Sequence, residues 1–134
     1  MTKGINILKI AFLLGAVIDF LVFLQMILPQ LATFFWGFEV FSNQYFFAMG
    51  MGASLMLGWT ILLVWAYQKP VERRIVAPLT MLVIVGIAIT NVVMVSKGLF
   101  TITQMLPSFT IQTVLLLLFG VGYLLTSSKN TIEL

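Results

Sequence analysis

Four uncharged apolar runs, each long enough to cross a bilayer, dominate this 134-residue chain and leave it little choice of fold. They extend approximately over residues 10–28, 45–67, 75–96 and 108–126. A helix rising ~1.5 Å per residue needs about 20 residues to cross a hydrocarbon core of ~30 Å. Of the seven Lys or Arg and four Asp or Glu, all but Asp19 stand at or beyond the ends of the runs. The expectation is an all-α integral membrane protein: a compact bundle of four transmembrane helices, forming a single domain over residues 1–134.

With 61% hydrophobic and 8% charged residues, a water-soluble fold could not cover the apolar surface. The chain has no Cys and no His, which excludes disulfides, thiolate or imidazole metal sites, cysteine nucleophiles and histidine-ligated haem. No cofactor and no metal is implied. The net charge of +3 does not point to nucleic acid, because the basic residues are scattered at the ends of the runs rather than gathered on one soluble face. The first run exceeds the ~7–15 residues of a signal-peptide core. Pro29, Gln30 and Leu31 follow it in place of a small-x-small cleavage site, so it is expected to remain as a helix.

Proline placement fits the four runs. Pro29 ends the first, Pro70 lies in the turn after the second, Pro78 falls in the first turn of the third, and Pro107 marks the entry to the fourth. With the N-terminus cytoplasmic, the inside segments hold Lys3, Lys9, Lys69, Arg73, Arg74 and Lys129, and the outside loops hold Lys97. This positive-inside bias predicts a multi-pass protein of the cytoplasmic membrane with both termini in the cytoplasm. The stretch from Lys69 to Arg74 reads as a topology anchor, with an anionic-lipid or partner site as the alternative.

The outer loop carries Phe34, Phe35, Trp36, Phe38 and Phe41, followed by Tyr45, Phe46 and Phe47 at the next helix entry. Aromatics concentrate where water meets lipid, which suggests an interfacial belt or a short helix in the surface plane. A hydrophobic lid over an interhelical cavity is the competing expectation. Gly50, Ser54 and Gly58 recur every four residues on the second span, predicting a packing face for another helix, most plausibly the first span. Met49, Met51 and Met56 read as adaptable packing.

Asp19 lies near the bilayer midplane, where a charge costs at least ~2.5–3.5 kcal/mol on insertion scales and function is the default hypothesis. Its side chain is expected to face protein or water, with Gly15 one turn earlier allowing a neighbouring helix to approach. Counted from the outer ends of the runs at ~1.5 Å per residue, Asp19 and Ser54 fall at about 14 Å, Thr90 and Asn91 at about 8–9 Å, and Gln25 and Gln112 at about 5–6 Å. Asp19, Ser54, Thr90, Asn91, Gln25 and Gln112 are therefore the expected lining of an outward-facing polar pocket, with Ser54, Thr90 or Asn91 as hydrogen-bond partners of Asp19. The alternative is that each polar group bonds across helices and stabilises the bundle.

A carboxyl group midway along the first of four short helices resembles the layout of the small multidrug-resistance transporters. Asp19 stands where that family has Glu, and the one-sided charge bias departs from members that dimerise in antiparallel fashion. The resemblance is one of layout over about one helix and implies a site for a proton, cation or small amphipathic ligand at Asp19. The leading functional expectation is thus a module that binds or transports a proton, cation or small amphipathic ligand. Its rival is a structural or accessory subunit meeting a second copy or another membrane protein through Gly50, Ser54 and Gly58. An intramembrane enzyme acting on a lipid is a third class, but a lone carboxyl group leaves acid–base chemistry short of a partner.

Overall fold

The computed structural model describes residues 2–127 and contains five helices: α1 (Thr2–Ile27), α2 (Pro29–Trp36), α3 (Asn43–Gln68), α4 (Val76–Ser96) and α5 (Ile102–Ser127). No strand occurs among the described residues. The four long helices are each apolar and long enough to cross a membrane. Their outward faces are covered with large hydrophobic side chains, among them Leu55 at 72% and Leu82 at 70% exposure. Such a surface requires lipid, and the chain is a helical, multi-pass membrane protein.

Local chemistry sets the helix ends. Pro29 opens α2, where its missing N–H is not needed, and Gly37 closes it at φ +70° with its N–H on Thr33 O. Ser42 caps α3 by accepting from the Tyr45 amide. Thr101 and Gln104 form a reciprocal capping box before α5: the Thr101 amide donates to Gln104 Oε1 at 2.9 Å and the Gln104 amide to Thr101 Oγ1 at 3.3 Å. That cap starts α5 six residues before Ser108, so Pro107 lies inside the helix and not at its entry.

α1 is the centre of the packing, lying against α3 and α5, while α4 packs mainly on α5 and scarcely touches α3. The buried stripe of α1 is Leu8, Phe12 and Gly15, which continues to Asp19. Phe12 meets Phe119 edge-on at 5.6 Å between ring centres. A Cβ on Gly15 would stand 3.1 Å from Leu63 Cδ1 and 3.3 Å from Phe119 Cζ, so this glycine is the notch that receives one side chain from each neighbour. α3 turns Ala53, Leu63 and Ala66 inward. Gly50, Ser54 and Gly58 lie on its opposite side, exposed, with nothing within 4 Å of a Cβ on either glycine. The expectation that this stripe packs on the first span is thus wrong within one chain, because the close approaches are made at Gly15, Gly4 and Gly122 instead.

Basic residues collect at one end of the molecule. Arg74 Nη1 donates to Thr126 O at 3.1 Å, Arg73 stacks over Trp65 at 3.8 Å, Lys9 lies 5.8 Å from the Tyr67 ring, and Lys69 pairs with Glu72 at 3.1 Å. Lys97 is at the other end, after α4. Lys129 lies outside the described residues.

The aromatic loop divides into two groups. Phe34, Phe35 and Phe47 point outward at 80%, 55% and 73% exposure. Trp36, Phe38, Phe41 and Tyr45 instead stack on one another, and Phe38 reaches Phe100 of the α4–α5 connection at 5.9 Å. A recess of about 370 Å³ opens there, lined by Trp36, Phe38, Met94, Leu99, Phe100 and Gln104.

Candidate functional site

Asp19 is half-buried on the inward stripe of α1 and makes no ion pair or side-chain hydrogen bond among the described residues. Helix register shows what stands beside it. On the α3 side, Gly15 lies against Leu63, Met26 against Gly52 and Lys9 near Tyr67. This antiparallel register puts Asp19 level with Trp59, and Ser54 a turn or more nearer the end that carries α2. On the α5 side, Gly4 lies against Leu125, Leu8 against Gly122 and Phe12 against Phe119. The same progression carries Asp19 to the level of Gln112.

Gln112 is therefore as deep as Asp19, not far shallower as counting from Ser108 suggests. The helix starts at Ile102, and six additional residues at ~1.5 Å each add about 9 Å of depth. Gln112 is 8% exposed and shares the inward stripe of α5 with Met105, Leu115, Phe119 and Gly122. Its Nε2 donates to Ser108 Oγ at 3.2 Å, and its Oε1 is buried without a partner among the described residues. Asn91 Nδ2 of α4 donates to the same Ser108 Oγ at 3.0 Å. A chain of polar groups thus links α4 to α5 and ends in an unused acceptor at the level of Asp19.

The other candidates are not brought to this point. The Ser54 hydroxyl donates to Gly50 O at 3.0 Å and that of Thr90 to Gly86 O at 3.1 Å, both exposed on their own helices. Neither is a partner of Asp19. Asn91 donates to Ser108 and makes no hydrogen bond with Asp19, so it is not a direct partner either. Gln25 is half-buried, a third of a turn around α1 from Asp19, and makes no side-chain hydrogen bond among the described residues.

Thr60, Thr80, Thr110, Thr113 and Thr126 also return their hydroxyls to the carbonyl four residues earlier. Backbone oxygens satisfy them locally, so most intramembrane hydroxyls do not hold helices together. Between α3 and α4 the side-chain link is Trp59 Nε1 to Thr80 Oγ1 at 3.3 Å. The recess at the aromatic end contains none of the six candidate residues. Sequence reasoning missed Ser108 as the junction of the network and Trp59 as the α3 residue level with Asp19; the capping box at Thr101 and Gln104 was the signal that resets the depth of α5. No family model, curated protein or solved structure matches the chain.

Proposed function

We propose that this is a small binding or transport protein of the cytoplasmic membrane, a four-helix bundle with both termini inside, in which Asp19 takes up a proton, a cation or a small amphipathic cation from the outer side. One observation carries the reading: Asp19 continues the buried stripe of α1 into the interior, yet stays half-exposed and without a partner among the described residues. A carboxyl group at that depth costs at least ~2.5–3.5 kcal/mol on insertion scales, which makes function the default reading of it. The α1–α5 interface below is closed by Phe12, Phe119 and Leu8, all fully buried, so access belongs to the end that carries α2.

The test is proton uptake by the purified protein in lipid nanodiscs after an acid pulse, followed with a pH dye. Wild type takes up a proton that Asp19→Asn does not, with both proteins equally folded. Equal uptake by both removes Asp19 from the site. Tetraphenylphosphonium, a lipophilic cation, serves as the organic probe: its binding should fall as pH falls in wild type and be lost in Asp19→Asn.

A second reading is favoured by the bare stripe of Gly50, Ser54 and Gly58, which none of the described residues covers. An accessory role through that stripe predicts a stable partner in gentle detergent extracts, either a second copy or another membrane protein.

A further inference from the structure

Gln112 carries an acceptor buried without a donor, which costs about 1–3 kcal/mol in a protein interior. The register of α1 on α5 puts one ionisable group, Asp19, at the level of that acceptor. We propose that the Gln112 amide is a two-way partner of Asp19 that serves its protonated and its ionised form by turning over, so that the ligand of the site is a proton. This rests on the reading of Asp19 as the uptake site.

With a proton on the carboxyl group, the Asp19 O–H donates to Gln112 Oε1, and Nε2 keeps its bond to Ser108 Oγ. When that O–H bond breaks and the proton leaves to water, two acceptors face one another. A half-turn of the amide then places Nε2 toward the carboxylate and Oε1 toward Ser108. Ser108 is ready for this: its oxygen accepts from Gln112 and Asn91, and its own hydrogen donates to nothing among the described residues. After the turn that hydrogen donates to Oε1, while Asn91 continues to donate to Ser108 Oγ. Each form of Asp19 is bonded, and no polar atom of Gln112 is left over.

Among the described residues no other ionisable group stands at that level. The helices packed on α1 carry Tyr45 and Tyr67 on α3, Tyr123 on α5 and none on α2, and α1 itself carries Lys3 and Lys9. Tyr45 lies at the outer end, and the other four lie at the basic end. A metal cation would demand the opposite geometry, with Oε1 facing the ionised carboxylate.

The experiment uses full-length protein in nanodiscs. The side-chain amide ¹⁵N resonance of Gln112, assigned by its loss in Gln112→Glu, should move with pH. Its midpoint should match that of the Asp19 carboxyl infrared band, assigned by its loss in Asp19→Asn. In Asp19→Asn the resonance should stay fixed. Gln112→Leu removes a bond from both forms, but the carboxylate loses the stronger, charge-assisted one, so the midpoint of the Asp19 band should rise by about one pH unit, a tenfold gain in proton affinity. A titrating Asp19 band with an unmoving Gln112 resonance overturns the coupling and leaves the Asp19 site standing. If neither titrates, the uptake reading fails with it. A resonance that moves when sodium chloride replaces choline chloride at fixed pH, and not with pH, overturns the proton in favour of a metal cation. Where Gln112→Leu does not fold, the wild-type resonance alone decides.

Discussion

Gly122 of α5 lies against the backbone of Leu8 of α1: a Cβ placed on it would stand 3.1 Å from both the Cα and the N of Leu8. Backbone atoms cannot swing aside as a side chain can, so even one methyl group must part the two helices. Overpacking of this kind costs about 1–3 kcal/mol. Gly122→Ala is therefore expected to lower the melting temperature in detergent, and Gly122→Leu to lower it further. An unchanged melt for both would mean that α1 and α5 do not meet in this register.

The bare stripe of α3 gives the opposite expectation. Gly50→Leu and Gly58→Leu add side chains into open space, so the fold of one chain should be unaffected, within about 0.5 kcal/mol. Association is the property they should change. Because the chain contains no cysteine, Ser54→Cys introduces a unique thiol. If a second copy covers the stripe, oxidation in native membranes should give a disulfide-linked dimer, which Gly50→Leu or Gly58→Leu in the same background should weaken. Absence of that product excludes the homodimeric form of the accessory reading.

Membrane class and the four apolar spans were legible in the sequence because lipid imposes them through length and hydropathy, whereas the starts of α1 at Thr2 and of α5 at Ile102 were not. Rotation of each helix was not. Small residues mark close approach on average, yet Gly50 and Gly58 are exposed, while Gly15, expected to admit a neighbouring helix, and Gly122, which no repeating stripe announces, make the tight contacts. Depth failed for a related reason. Gln112 was displaced by about 9 Å because α5 starts at a Thr101–Gln104 cap that hydropathy does not weigh. Asp19 itself was legible, since its rarity comes from the solvent, but Ser54 and Thr90 were wrong partners because each hydroxyl has a carbonyl of its own helix in reach.

Topology has a direct check with the same cysteine-free background. Glu72→Cys lies in the α3–α4 turn and Lys97→Cys at the end of α4, about one membrane thickness apart along a 21-residue helix. An impermeant maleimide added to intact cells should label position 97 and spare position 72. Labelling of position 72 alone would invert the protein.

Ser108 should matter more than its size suggests. It accepts from both Asn91 and Gln112, so Ser108→Ala leaves two donors without an acceptor at once. Interhelical bonds in membranes average ~0.6 kcal/mol, which sets the expected loss at about 1–2 kcal/mol once the stranded donors are included. Thr110→Ala and Thr113→Ala remove hydroxyls that only return to their own helix and should cost little. Unfolding midpoints in mixed micelles separate the two classes; equal effects would mean that the α4–α5 network is not formed.

Asp19→Asn is the substitution on which the functional reading turns. Asparagine keeps the shape of the carboxyl group and offers a permanent N–H at the level of Gln112 Oε1, the acceptor that lacks a donor. The variant should therefore fold as well as wild type, within about 0.5 kcal/mol, while proton uptake after an acid pulse disappears. Ser54→Ala and Thr90→Ala provide the contrast, because their hydroxyls are exposed and bonded within their own helices. Both should keep wild-type uptake. Loss of uptake in either would restore those hydroxyls to the site and contradict the register that separates Ser54 from Asp19 by a turn of helix. Loss of folding in Asp19→Asn, with uptake per folded molecule retained, would make Asp19 a structural residue and leave the bare stripe of α3 as the better guide to what this protein does.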